Sequence, residues 1–178
     1  IRTYVATSAI GGLAGRVKCG DMLVIKEAFP YGSVDAGLFT GTHCCPSTVL
    51  TPSLRTMALE CLDAIGMRGV EGSCGFFHGP EFESDTIKKL FASLGASGVG
   101  MSGYIDVTHC ASMTLKEKHL PSSGRTQCLA VGFVTNDDFD TSGGLAEHDH
   151  EQVQAAARRD SELLGAFIAR VVQRLADQ

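Results

Sequence analysis

Residues 70–102, VEGSCGFFHGPEFESDTIKKLFASLGASGVGMS, contain the pattern that decides the fold class. Val70 to Phe77 alternates as a strand does and ends at a turn built on glycine and proline. Ser84 can cap the helix that follows, in which four apolar residues at helical spacing share one face: Ile87, Leu90, Phe91 and Leu94. A short second strand is predicted from Gly98 to Ser102. Strand, turn, helix and strand in this order indicate the repeating unit of an α/β protein.

The flanking sequence continues this pattern in both directions. Further strands are predicted over three ranges: Thr3 to Ser8, Asp21 to Lys26, and Cys128 to Thr135. Further helices are predicted over three ranges: Thr51 to Ile65 with Pro52 at the first helical position, Asp106 to Leu120, and Glu151 to Ala176. Pro30 to Leu50 is too long for a simple connection, which is typical of a functional or mobile loop. We therefore predict a single three-layer α/β/α domain over residues 1–178.

Composition and charge exclude several classes of protein. Of the 178 residues 44% are hydrophobic, yet no apolar run approaches the ~20 residues that a membrane-spanning helix needs. The net charge is −5 and the basic residues are scattered, which argues against nucleic acid or anionic lipid as a partner. The seven cysteines are odd in number and lack the spacing of a disulfide framework. With no signal peptide recognised, they predict reduced core thiols in a cytoplasmic protein.

Four predicted strands end in polar or glycine-rich turns, which is where open α/β sheets bind their ligands. The turns are Ser8 to Gly12, Gly79 to Ser84, Val99 to Gly103, and Val134 to Asn136. Successive backbone N–H groups in such a turn can bind an anion, and Ser102 adds a hydroxyl donor, so one phosphate can be held without lysine. Close packing alone would explain the glycines equally well. The Walker and dinucleotide-binding patterns are both missing, which argues against ATP and NAD.

Taken together, these segments resemble the trimeric purine nucleoside phosphorylases from about Tyr4 to about Leu175. The matching stretches, in order, are TSAIGGL, CGDMLVI, GPEFES, LGASGVGMS, VTN and HEQVQAA. The resemblance implies a central mixed sheet between helices, and assembly as a homotrimer. It also implies a reaction in which inorganic phosphate, as co-substrate and with no other cofactor, attacks the anomeric carbon of a purine nucleoside and releases the free base.

The resemblance assigns the phosphate and base contacts to residues of the turns. The phosphate contacts fall on the backbone amide of Ala9 and on the hydroxyl of Ser102. Phe82 matches the aromatic residue that packs on the purine. Glu83 matches the carboxylate that accepts a hydrogen bond from the protonated ring nitrogen of a six-oxopurine. Asn136 matches the amide that binds the six-oxo group and the neighbouring imidazole nitrogen.

The ribose contacts are assigned to two further residues. Met101 matches the methionine beneath the sugar, and His150 matches the histidine that contacts the five-prime hydroxyl. Val99 opens the turn that contains Met101 and is assigned to substrate binding with it.

These assignments suit the chemistry of glycosidic cleavage. The reaction places positive charge on the ribose and negative charge on the purine, so a donor at the imidazole nitrogen stabilises the transition state. Asn136 is the residue for that role. Glu83 lies at a predicted helix start, where the helix dipole favours an anion, and as an acceptor it selects hypoxanthine and guanine over adenine. The sequence therefore predicts phosphorolysis of inosine and guanosine, with Asn136, Glu83 and His150 as catalytic residues.

Departures from the family leave alternatives open. Asp137 and Asp138 follow Asn136, faintly as in the methylthioadenosine phosphorylases, which use an aspartate to bind a six-amino group. The family's N-terminal portion, which supplies further phosphate ligands, has no counterpart before the first strand. The chain is therefore expected to be the C-terminal portion of such an enzyme or a catalytically silent purine-binding remnant. Phe39 is a candidate for the aromatic residue that a neighbouring subunit contributes.

Two polar clusters are interpreted without a metal ion. Asp137, Asp138 and Asp140 follow a strand and fit a solvated loop better than a cation site. The cluster His43, Cys44 and Cys45, with Cys74 and His78 elsewhere in the chain, lacks the paired spacing of structural zinc. We therefore predict no metal site.

Overall fold

The computed structural model describes residues 2–13, 15–31, 49–121, 124–137 and 150–177. Within them the chain forms five strands: β1 (Thr3–Gly12), β2 (Met22–Tyr31), β3 (Gly69–Phe77), β4 (Ala96–Gly100) and β5 (Gln127–Asp137). The same residues form five helices: α1 (Pro52–Asp63), α2 (Asp85–Ser93), α3 (Gly103–Lys116), α4 (His150–Arg159) and α5 (Ser161–Ala176). Strands and helices alternate from β2 to α4, which confirms the predicted α/β class.

The five strands form one mixed sheet, as predicted, which closes on itself in the order β1-β4-β3-β2-β5. β1 is parallel to β5, and β3 is parallel to both β2 and β4. Two antiparallel contacts complete the circle, one between β2 and β5 and the other between β1 and β4. The sequence did not predict this closure.

Glycine residues lie at the contact between β1 and β4. Gly11 pairs with Val99, and Gly12 pairs with Gly98. A Cβ atom at Gly98 would lie 2.8 Å from the Ile10 side chain and 3.2 Å from the Gly11 carbonyl oxygen. A Cβ atom here would displace the end of the Ile10 side chain and press on the Gly11 carbonyl, so glycine eases the close approach of the two strands.

Helices pack on both faces of the sheet because successive strand residues point to opposite sides. Val24 and Val131 belong to a core cluster with residues of α1 and α5. Their neighbours Leu23 and Ala130 belong to the cluster that includes residues of α3. Phe91 of α2 forms a third cluster with residues of β4. This arrangement gives the helix, sheet and helix layers that the sequence predicts.

The prediction of one helix from Glu151 to Ala176 is wrong, because the structure divides this segment at Asp160. The Arg159 guanidinium forms an ion pair with the Asp160 carboxylate at 2.7 Å, and Asp160 is the N-cap of α5 with φ −104° and ψ 13°. The division separates two packing roles: α4 packs on β5, whereas α5 packs on α1. His150 and the residues that follow it therefore belong to a short helix that lies against a strand.

Other predictions differ from the structure in smaller ways or lie beyond what it describes. β4 ends at Gly100, two residues earlier than predicted, so Met101 and Ser102 form the connection to α3. Several residues of the sequence interpretation lie outside the described residues, namely Phe39, His43, Cys44, Cys45, Asp138 and Asp140. The described cysteines are free thiols, and four are buried as predicted: Cys61, Cys74, Cys110 and Cys128. No helix in the described part of the chain has the length and apolar character to cross a membrane.

Candidate active site

Every described residue that the sequence assigns to binding or catalysis lines one cavity of about 500 Å³. They are Ala9, Phe82, Glu83, Val99, Met101, Ser102, Asn136 and His150. They come from β1, from the connection between β3 and α2, from β4 and its following turn, from β5, and from the start of α4. The fold therefore brings together segments that are widely separated in sequence.

Gly11 is the point at which these segments meet. It pairs with Val99 of β4 on one side and with Asn136 of β5 on the other. The pairing of β1 with β5 shifts register between Ile10 and Gly11, which leaves Thr135 as the extra residue of a bulge. Bulges redirect side chains and occur next to active sites. Through these two pairings Gly11 brings β4 and the end of β5 to the same cavity.

The Asn136 amide is buried and lies within hydrogen-bond distance of the Thr135 hydroxyl. Asn136 is 8% exposed, and the Thr135 hydroxyl lies 3.0 Å from its Oδ1 and 3.3 Å from the Ile10 carbonyl oxygen. Both oxygens are acceptors and the hydroxyl has one proton, so it donates to one of them at a time; when it donates to Oδ1, the other end of the amide is an NH₂ group that can only donate. An amide held in this way suits an electron-rich ring nitrogen in the cavity.

Met101 and Ser102 lie where β4 passes into α3. A Cβ atom at Gly79 would lie 2.8 Å from Met101 Sδ, so the glycine of the GPEFES stretch gives the methionine its space. Ser102 is the N-cap of α3, a helix of 14 residues, and its hydroxyl makes no capping hydrogen bond. A helix N-terminus favours anions through its backbone N–H groups and its dipole. This side of the cavity is therefore suited to phosphate.

Glu83 and Phe82 form another wall of the cavity. Glu83 is only 8% exposed, whereas Phe82 is 44% exposed. Burial, followed by the charge of Glu83, raises the pKa of the Cys74 thiol well above its usual range, which places the carboxylate near that buried thiol. Glu83 also comes directly before Ser84, the N-cap of α2, where a negative charge is favoured. An aromatic face beside a buried carboxylate suits a flat heterocycle with N–H groups on its edge.

His150 lies at another part of the cavity, at the first residue of α4. It is exposed to solvent, and its Nε2 atom is 2.8 Å from Nε2 of Gln154, one turn later in the helix. Val153 of the same helix also lines the cavity. The helix therefore presents one polar and one apolar side chain at this wall.

Asp137 does not line this cavity, although it follows Asn136 directly. Its Oδ1 accepts a hydrogen bond from the backbone N–H of Cys19 at 2.6 Å. The residue lines a neighbouring cavity of about 460 Å³ together with Arg159. Of the two aspartates that could make a six-amino contact, Asp137 is therefore bound to the backbone of another loop, and Asp138 lies outside the described residues.

Sequence reasoning assigned no role to several residues that line the cavity, namely Ile10, Gly11, Pro80, Gly100, Thr135 and Val153. Each lies inside one of the stretches that carry the family resemblance, so the motifs located them without indicating what they do. Among the described residues, no group of three or more His, Cys, Asp or Glu side chains is placed to hold a metal ion.

Comparison with known proteins agrees with this architecture. The profile of the phosphorylase superfamily matches residues 1–173. A purine nucleoside phosphorylase of Anopheles gambiae is 24% identical over 185 aligned residues, which include 96% of this chain and 48% of that protein. The chain thus spans about half the length of this curated relative.

Two solved structures share the fold. Isoform 2 of purine nucleoside phosphorylase from Schistosoma mansoni, in complex with cytosine and ribose-1-phosphate, superposes with a TM-score of 0.76 at 22% identity. The match covers 98% of this chain and 61% of that one. A schistosoma purine nucleoside phosphorylase in complex with hypoxanthine gives the same TM-score at 20% identity, over 98% and 62% of the two chains.

The family profile matches nearly the whole chain, including every stretch that carries the motif resemblance. The relative and the solved structures are purine nucleoside phosphorylases, which confirms the resemblance that the motifs indicate. The chain belongs to the phosphorylase superfamily and is related within it to the purine nucleoside phosphorylases.

Proposed function

We propose that this cavity is the nucleoside site of an enzyme that carries out phosphorolysis of six-oxopurine nucleosides. An oxygen of inorganic phosphate attacks the anomeric carbon as the bond from that carbon to the purine nitrogen breaks. The bonding electrons pass to the purine, which takes up a proton and leaves as the free base, and the sugar becomes ribose 1-phosphate. The observation that carries the proposal is the presence of Glu83, Asn136, Ser102 and His150 in one cavity.

The transition state requires stabilisation of two opposite charges. Asn136, with its amide oxygen bound to Thr135, offers NH₂ to the imidazole nitrogen on which negative charge develops. Phosphate near Ser102, Ala9 and the start of α3 lies opposite the purine and is itself the anion that pairs with the cationic sugar. This pairing makes the two carboxylates of a glycosidase unnecessary.

The base preference is argued from two carboxylates, one that lines the cavity and one that does not. Glu83 lines the cavity and accepts from the protonated ring nitrogen of hypoxanthine or guanine, which adenine lacks. Asp137, which could accept from a six-amino group, binds the Cys19 N–H instead. This difference favours inosine and guanosine over adenosine and methylthioadenosine.

The proposal is tested by product analysis with the whole chain. Inosine, adenosine and methylthioadenosine are each incubated with and without inorganic phosphate, and free base and ribose phosphate are measured by chromatography. We expect one ribose 1-phosphate per hypoxanthine, release that depends on phosphate, and inosine as the fastest substrate. Hypoxanthine release without phosphate would contradict phosphorolysis, and faster cleavage of methylthioadenosine would contradict the base assignment.

A folded chain that releases no base under either condition would contradict the proposal that the chain is an enzyme. Binding of hypoxanthine unaffected by phosphate would then favour a silent purine-binding protein. The active assembly that we propose is a homotrimer, and sedimentation analysis during turnover tests it.

A further inference from the structure

Three polar side chains of α4 form a continuous row at intervals of four residues. The Arg158 guanidinium donates to Oε1 of Gln154 at 3.2 Å, and Nε2 of Gln154 is 2.8 Å from Nε2 of His150. Residues four apart lie on the same face of a helix, so this row runs from the cavity wall along one side of α4.

The donors and acceptors of this row permit only one arrangement of protons. A guanidinium has donors and no acceptor, so the atom of Gln154 that faces Arg158 is the amide oxygen. The amide nitrogen therefore faces His150, and it too can only donate. Nε2 of His150 must accept, which requires that it carry no proton. In a neutral imidazole the proton then lies on Nδ1.

We propose that Gln154 is a positioning residue that holds His150 in the Nδ1–H tautomer. It thereby determines which five-prime groups of a nucleoside the site prefers. The inference rests on the proposed function in one respect, namely that His150 contacts the five-prime end of the ribose. In this tautomer Nδ1 is the donor of His150 and Nε2 is engaged by Gln154. The five-prime group must then accept a hydrogen bond.

This requirement discriminates between classes of nucleoside. A hydroxyl oxygen is a good acceptor, whereas the sulfur of a thioether is a weak one, and a five-prime methyl group accepts nothing. Gln154 therefore favours nucleosides with a free five-prime hydroxyl over methylthio and deoxy analogues. Sequence motifs could not indicate this role, because it depends on which atoms of Gln154 face Arg158 and His150.

The tautomer can be measured in the chain without any substrate. Two-bond nitrogen–proton correlation spectra at pH 8 distinguish Nδ1–H from Nε2–H in a neutral imidazole, and the signals of His150 are identified by their loss in His150→Gln. We expect Nδ1–H in the wild type. We expect Nε2–H in Gln154→Glu, because a carboxylate can only accept. A wild-type His150 with the proton on Nε2 would overturn the proposal whether or not the chain is an enzyme.

A kinetic measurement tests the consequence for substrates. Gln154→Leu keeps a helix-forming side chain of similar size and removes the donor. For this variant we expect kcat/KM to fall on the order of fivefold for inosine and to be unchanged for 5′-deoxyinosine. The matched control is Gln173→Leu on α5, which removes an equivalent bond between Gln173 Nε2 and Asp177 at 2.9 Å. Equal losses for both substrates, or an equal loss in the control, would contradict a positioning role.

Discussion

Replacing Thr135 by valine removes one hydroxyl from the bulge beside the cavity and leaves the shape of the side chain nearly unchanged. Thr135 is 4% exposed, so water cannot readily replace the lost hydroxyl. Its partners are Asn136 Oδ1 at 3.0 Å and the Ile10 carbonyl oxygen at 3.3 Å. Removing a buried donor costs about 1–3 kcal/mol of unfolding free energy, because an acceptor is left without its partner.

Urea denaturation followed by circular dichroism measures this cost. We expect Thr135→Val to lower the unfolding free energy by that amount with an unchanged dependence on urea. Thr135→Ser keeps the hydroxyl and loses a methyl group, so it is the control for packing. A valine variant as stable as the wild type would refute the hydrogen bond on which the orientation of Asn136 depends.

Three further predictions concern single residues around the cavity and the far end of α3. Glu83→Gln should lower the preference of kcat/KM for inosine over adenosine about tenfold or more, and an unchanged ratio would remove Glu83 as the base-selecting residue. Gly79→Ala places a Cβ 2.8 Å from Met101 Sδ, so KM for inosine should rise while the melting temperature changes little; an unchanged KM would show that Met101 does not need this space. The Thr126 N–H, which donates to the Glu117 carboxylate, lowers the pKa of Glu117. The stabilisation that this hydrogen bond gives is therefore complete above the pKa that Glu117 has in the unfolded chain, and it is lost as the pH falls through the lower pKa of Glu117 in the folded chain. The melting temperatures of wild type and Glu117→Gln should therefore converge below about pH 4. A constant difference would contradict this.

The local elements and the membership of the site could be predicted from the sequence. Apolar spacing and helix-start signals at Pro52 and Ser84 locate α1 and α2, because they depend on neighbours within a few residues. The site residues were found because they lie in motifs, and the fold brings those motifs to one cavity. Their roles rest on the resemblance and are tested by the variants above.

The closure of the sheet and the division of the last helix could not be predicted in this way. Closure depends on the pairing of Gly11 with Val99, and no local pattern encodes a contact between such distant residues. The break at Asp160 depends on how α4 packs on β5 and α5 on α1. Whether Asp137 faces the cavity likewise depends on a bond to Cys19, which only the arrangement of the loops supplies.

The most direct test of the central claim is the effect of Asn136→Ala on chemistry compared with binding. Single-turnover release of hypoxanthine from inosine in saturating phosphate gives the chemical rate, and titration with inosine in the absence of phosphate gives the Kd. If Asn136 stabilises the negative charge of the departing purine, the chemical rate should fall about 100-fold or more while the Kd changes only severalfold. Equal losses in rate and affinity would contradict the account, because Asn136 would then contribute to binding the substrate and not to its cleavage.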